Sequence, residues 1–142
     1  MLTPSLLTEA LEASLAEQPR IEVASAYVFG SVAEGRAHRE SDVDAAVLLV
    51  RGAHPSASDR FDARLRLTTR LGDRLRRPVD LVILNDVPPG LGRRIVTHGL
   101  RVLCRDADAD HAFVRDVQLR AADIEPFLRR LSKAKLEALA RR

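Results

Sequence analysis

At 142 residues, 46% of them hydrophobic, the chain carries enough apolar side chains to build the core of one ordinary domain without disulfides or a structural metal. Charged residues make up 30%, yet the formal net charge is only +3, and aromatics stand at 4% with no tryptophan, so neither a strong basic bias nor a base-stacking surface marks a nucleic-acid substrate. The single cysteine, Cys104, excludes an internal disulfide framework; set in the apolar "LRVLCR", it reads as a buried, inert thiol in a reducing, cytoplasmic setting.

The opening stretch "MLTPSLLTEALEASLAEQPR" lacks a basic start and carries Glu9, Glu12 and Glu17, so it does not read as a signal peptide. No apolar run approaches membrane-spanning length. Thr3 and Pro4 read as an N-cap and a first-turn proline, and Leu7, Leu11 and Leu15 then recur every fourth residue, which predicts a helix from about 4 to 17. "EVASAYVF" (22–29) and "VDAAVLLV" (43–50) are rich in small and β-branched residues bounded by turn chemistry, and both predict strands. Beyond Asp44 the second is apolar on both faces, which predicts a central position in a sheet.

A serine-rich loop then caps a helix expected over about 59 to 77, with Phe61, Leu65, Thr68 and Leu75 as its apolar stripe. Pro78 ends it, "VDLVILN" (79–85) predicts a third strand, and "VPPGLGRRIVTHG" a short helix closed by Gly99. "LRVLCR" supplies a fourth strand. Residues 108–140 are helical in pattern, kinked or restarted at Pro126. The sum is α+β: one mixed sheet of about four strands with helices packed against it. His38, His54, His98 and His111 share no spacing and read as solvated, and Arg93 and Arg94 read as an exposed helix face. The end of the chain, 129–142, holds six basic residues against Glu137 alone, which fits a solvated helix end or a partner-binding one.

The chemistry gathers between the first two strands, in "GSVAEGRAHRESDVDA". Alternate residues of a strand share a face, so Asp42 and Asp44 project to the same side where the second strand begins. Two carboxylates that close repel, and either one takes a raised pKa or a cation neutralises both. Mg2+ commonly takes one or two protein carboxylates and completes its shell with water and phosphate oxygens, so the pair reads as half of a site whose other half is phosphate. Gly30 lets backbone N–H groups approach an anion and Ser31 adds a hydroxyl donor, with "SVAEG" expected to form a single helical turn. Asp80 interrupts the third strand with a charge where an apolar residue is expected. A neighbouring strand can set it beside the other two, to accept the proton of an attacking hydroxyl or to help hold the ion.

With Gly30, Ser31, Gly35, Ser41, Asp42, Asp44 and Asp80 in this order and context, the sequence resembles the nucleotidyltransferase superfamily of the polymerase β type. Within it the chain is similar to the minimal nucleotidyltransferases, or MNT proteins, antitoxin partners of HEPN toxins. The resemblance continues through "IVTHGLRVLCRDADADHAFVRD" and so covers nearly the whole chain. It implies a polymerase β-like nucleotidyltransferase fold spanning residues 1–142 as a single domain, with a helical tail from about 108 to 142.

The resemblance also implies a reaction. AMP passes from ATP to a tyrosine of a cognate HEPN ribonuclease toxin encoded by a neighbouring gene, which neutralises the toxin within a hetero-oligomer. In that scheme Asp42, Asp44 and Asp80 are the catalytic and metal-binding carboxylates for two Mg2+ ions, and Gly30, Ser31 and Ser41 bind the nucleotide. Neither a membrane nor a nucleic-acid substrate is expected. Glu34 departs from the pattern, since many relatives carry a basic residue there, and Arg36 or Arg39 are the candidates to replace it. Two other functions fit less of the sequence: a transferase for a small molecule such as an aminoglycoside, which needs acceptor-binding elements not found here, and a non-catalytic antitoxin that masks its toxin by binding.

Overall fold

The computed structural model describes residues 2–35 and 42–140, apart from the side chains of residues 124, 125, 127 and 128. Helix α1 (Pro4–Ala16) starts as its sequence dictates: the Thr3 hydroxyl accepts the Leu6 N–H at 3.2 Å, and Pro4 occupies a first-turn position where no N–H is needed. Its leucine stripe, Leu7, Leu11 and Leu15, is buried. Strand β1 (Val23–Phe29) runs antiparallel to β2 (Val43–Leu49), and α2 (Ala57–Leu75) then crosses over to β3 (Val79–Ile83), which lies parallel to β2. Helix α3 (Pro89–His98) leads into β4 (Leu100–Cys104), which pairs antiparallel with the other edge of β1, and α4 (Ala107–Ala140) closes the described chain. The sheet order is β3-β2-β1-β4, so β2 is an interior strand as its two apolar faces require.

Each face of this mixed sheet carries its own core. On one side the leucines of α1 and α2 pack on Ala26, Val28, Val43, Ala45 and Val47; on the other, Ile95 of α3 and Phe113 of α4 pack around Tyr27, Ala46 and Leu48. By the alternation along β2 and β3, Asp44 and Asp80 belong to this second face, with Ala46 and Val82.

Several expectations are corrected. The buried stripe of α2 is Ala63, Leu67 and Leu71, whereas Phe61 and Leu65 are exposed by 55% and 52%. The reason is phase. The helix begins at Ala57, capped by Ser56 Oγ, which accepts the Asp59 N–H at 3.1 Å, and the alanine at 63 lets it lie close on the sheet. The third strand stops at Ile83 and passes into a 3-10 turn (Leu84–Asp86). From that turn the Asn85 amide accepts from Leu49 N–H at 2.9 Å and donates to Leu49 C=O at 3.1 Å, so a side chain takes the place of the strand's next residues. Helix α4 does not restart at Pro126 but runs on through it.

Cys104 is exposed at the end of β4, an edge strand. His54 is buried, its Nε2 accepting the Glu22 N–H at 3.0 Å. Both sheet edges are blunted by side chains from the helices: Arg64 Nε donates to Leu81 C=O at 2.8 Å on β3, and Thr8 Oγ1 to Val102 C=O at 2.7 Å on β4.

Candidate active site

The two glycines that read as punctuation after β1 are the reason the chain can turn there. Gly30 has φ +70° and Gly35 φ +71°, the left-handed region that an L side chain enters only at a cost. Between them one turn forms: Glu34 N–H donates to Gly30 C=O at 3.1 Å, Gly35 N–H to Val32 C=O at 3.3 Å, and the buried Val32 pins the turn to the core. The expected helical turn in "SVAEG" is thus present as a single turn. Ser31 sits at its start, half-buried.

Gly30 has a second reason to lack a side chain. A Cβ built there would lie 3.2 Å from Asp44 Cγ and collide with Asp44 Oδ2. The left-handed glycine and the carboxylate are therefore packed backbone to side chain at the end of β1, where Phe29 is the register partner of Asp44. Across the parallel ladder Asp44 is the register partner of Asp80, and neighbouring strands lie about 4.8 Å apart. Asp42 precedes β2 by one residue, with the buried Val43 between it and Asp44.

The carboxyl of Asp44 is half-buried, whereas those of Asp42 and Asp80 are exposed. Burial first, then the charge of Asp80, then that of Asp42, push the pKa of Asp44 above the usual carboxylate range. Like charge is thus concentrated around Asp44. Among the described residues no group of three or more His, Cys, Asp or Glu is gathered tightly enough to hold a metal ion on protein ligands alone. The donor set instead suits a hard ion that takes one or two carboxylates and finds its remaining oxygens on a bound phosphate.

Of the residues singled out from sequence, Gly30, Ser31, Asp42, Asp44 and Asp80 come to one end of the sheet, where β1 ends and β2 and β3 begin. Ser41, Arg36, His38 and Arg39 lie outside the described residues. Sequence reasoning missed the polar network that fastens α4 to β1 and β4. Tyr27 Oη donates to Asp110 Oδ1 at 2.7 Å, and Arg101 donates to Asp110 Oδ2 at 3.0 Å. Asp110 is only 1% exposed. Burial acts to raise its pKa, but the donors around it, Ser25, Tyr27 and Arg101, outweigh burial and hold the pKa low. Ser25 Oγ meets no strict hydrogen-bond geometry, so the bonds from Tyr27 and Arg101 carry the network. Burial and the same carboxylate push the Tyr27 phenol up. Nothing in "DADADHAF" separates Asp110 from its exposed neighbours Asp106 and Asp108, so the sequence held no signal for it.

The arrangement of glycine turn, paired strands and carboxylates coincides with a known family: residues 9–108 match the model of the family described as Polymerase beta, Nucleotidyltransferase. The chain belongs to this family. It is similar to the protein adenylyltransferase MntA of Shewanella oneidensis, at 34% identity over 95 residues, which is 66% of this chain and 63% of that relative's length. Among solved structures, a toxin–antitoxin with AMP-PNP superposes with a TM-score of 0.65 at 25% identity, covering 88% of this chain and 98% of the other. The fold also matches a chain of the tri-AMPylated Shewanella oneidensis HEPN toxin in complex with MNT antitoxin, with a TM-score of 0.62 at 22% identity over 92% of this chain and 99% of that one. The polymerase β-type fold, read from the sequence, is thereby established for this chain. No helix among the described residues is long and apolar enough to cross a membrane.

Proposed function

We propose that this nucleotidyltransferase is an antitoxin that transfers AMP from ATP to a tyrosine hydroxyl of a cognate HEPN toxin. The observation that carries the reading is the Asp44–Asp80 register pair beside the left-handed Gly30, a concentration of like charge that a divalent cation and a triphosphate together resolve. The similarity to MntA, and to a toxin–antitoxin structure containing AMP-PNP, supports ATP as donor and a protein as acceptor.

Asp42 and Asp44 would hold Mg2+ with Asp80 as third carboxylate; when bound, two such ions neutralise charge on the attacking and leaving oxygens of a phosphoryl transfer. The rest is the work of this chain's own groups. Gly30 leaves its backbone open to the phosphates, Ser31 offers a hydroxyl, and Ser41 is assigned the same duty. Asp80, exposed at the start of an edge strand, would receive the proton of the incoming tyrosine. The tyrosine oxygen forms a bond to the α-phosphorus, the bond from that phosphorus to the pyrophosphate oxygen breaks, and pyrophosphate carries the electron pair away. Holding acceptor and donor side by side is what a docked partner contributes.

The test is incubation of the protein and Mg·ATP with the product of the adjacent gene. The expected result is the added mass of one or more AMP units on a tyrosine of that product. Asp42→Asn with Asp44→Asn should still bind the partner and add no mass. If this variant protects cells from the toxin as well as the natural protein at equal expression, catalysis is dispensable and masking by binding replaces the proposal.

A further inference from the structure

Helix α2 leaves Phe61 out of the core, 55% exposed, but not on an open helix back. At 100° per residue, Ala57, Phe61 and Arg64 fall within about 60° of one another, beside the buried stripe of Ala63, Leu67 and Leu71. This sector borders the free edge of β3, where Arg64 reaches the strand at Leu81 C=O. A mostly apolar groove of about 450 Å3 opens there, lined by Ala57, Phe61 and Arg64 of α2, by Val82 of β3, and by Val87 and Pro88 beyond the 3-10 turn. Asp86, at its end, is already paired with Arg60 at 2.9 Å.

The place of this groove relative to the carboxylates decides what fills it. Across the site the order is Gly30 and Ser31 just beyond β1, Asp44 on β2 and Asp80 on β3, with no strand outside β3. In phosphoryl transfer the attacking and leaving oxygens lie roughly in line through the phosphorus. With the leaving phosphates held at Gly30 and Ser31, on one side of Asp44, the attacking hydroxyl has to come from the other side, over Asp80 and the β3 edge. Val82 follows Asp80 by two residues and shares its face, so the groove begins about 7 Å along the strand from that carboxylate. An extended chain covers about 3.3–3.6 Å per residue, which brings a residue two to four positions from the acceptor tyrosine into the groove. A second copy adding a strand to this edge is opposed, because Leu81 C=O already accepts from Arg64 Nε at 2.8 Å. An anionic membrane surface is opposed by the exposed Asp80 beside the groove.

We propose that the groove between α2 and the β3 edge is the subsite that seats an apolar side chain of the acceptor protein, two to four residues from the tyrosine that is modified, with Phe61 as its main contact. The proposal rests on the antitoxin reading above and gives that acceptor its direction of approach. Seating a neighbouring residue aligns the tyrosine hydroxyl with Asp80, so Phe61 is a positioning residue for the acceptor and has no part in holding the nucleotide.

The experiment follows AMP transfer from Mg·ATP to the adjacent-gene product, comparing the natural protein with Phe61→Ser and Phe61→Leu, with Mg·ATP affinity read by calorimetry. Phe61→Ser should raise the KM for the acceptor about tenfold or more, as loss of a buried anchor does, with Mg·ATP affinity and the urea midpoint unchanged. Phe61→Leu, which keeps an apolar side chain, should recover most of that loss. In the acceptor, serine in place of the apolar residues two to four positions from the modified tyrosine should raise the KM similarly, and the two changes together should do little more than either alone. An unchanged acceptor KM in Phe61→Ser, or full additivity of the two changes, overturns the subsite and leaves the antitoxin reading standing. Failure of the natural protein to modify the neighbour overturns that reading and the subsite with it. A loss of Mg·ATP affinity in Phe61→Ser overturns the subsite in favour of the adenine ring as occupant. A dimer of the natural protein that Phe61→Ser dissociates in sedimentation overturns it in favour of a second copy, and binding to phosphatidylserine vesicles that Phe61→Ser abolishes overturns it in favour of a membrane.

Discussion

Gly30→Ala tests whether the glycine is there for its backbone, for Asp44, or for both. At φ +70° an alanine enters the left-handed region, which costs about 1–2 kcal/mol. Its Cβ also meets the Asp44 carboxylate, and turning that side chain off its rotamer costs a further ~0.5–1.5 kcal/mol. The expected loss is therefore roughly 1.5–3.5 kcal/mol, or some 3 °C of Tm per kcal/mol for a chain of this size. Urea unfolding of Gly30→Ala in the natural protein and in an Asp44→Ala background separates the parts. Removing the carboxylate should leave only the backbone share, so the cycle yields a coupling of about 0.5–1.5 kcal/mol. Because the displaced carboxylate is the one beside Asp80, Mg·ATP binding should fall in Gly30→Ala by more than stability alone explains. Equal costs in the two backgrounds would refute the packing of Gly30 against Asp44, and a gain in stability would refute the left-handed turn itself.

Asp44→Asn should hold or raise stability at pH 7. The folded pKa of Asp44 lies above the unfolded one, so the folded protein binds more protons in the window between them, and the stability of the natural protein rises as pH falls through that window. The share of the pH dependence of urea midpoints that grows with acid, just above the ordinary carboxylate pKa, should be lost in Asp44→Asn, and an unchanged pH dependence would remove the electrostatic account of the site. Tyr27→Phe should cost about 1.5–3 kcal/mol, the range for a hydrogen bond to a buried charged group, read by urea unfolding. Because the folded pKa of Asp110 is depressed, its share of stability is present above the unfolded carboxylate pKa and is lost as pH falls through the folded value, so the Tyr27→Phe deficit should shrink in acid. Leu67→Ala should cost about 2–5 kcal/mol, as the residue is 0% exposed, whereas Phe61→Ser should change stability by no more than about 0.5 kcal/mol; the reverse order would restore the Phe61–Leu65 stripe to the core.

What the sequence determined by itself was everything carried by short-range pattern. Thr3-Pro4 and the leucine spacing set α1, two β-branched runs set the inner strands, and glycines at 30 and 35 set the turn between them, because caps, periodicity and positive φ are properties of a few adjacent residues. Asp42 and Asp44 could be paired on paper for the same reason, since alternation along one strand needs no tertiary information. Asp80 is the point at which that ceases: its residue type marked it, but only the parallel register of β3 on β2 put it opposite Asp44. Tertiary packing alone decided which phase of α2 faces the sheet, why Cys104 on an edge strand is exposed, and why His54 is buried. It also selected Asp110 over two look-alike aspartates in the same stretch, because only there did Tyr27 and Arg101 arrive from strands β1 and β4. Burial and long-range hydrogen bonds depend on what the rest of the chain brings alongside, and a residue's neighbours in sequence carry no record of that.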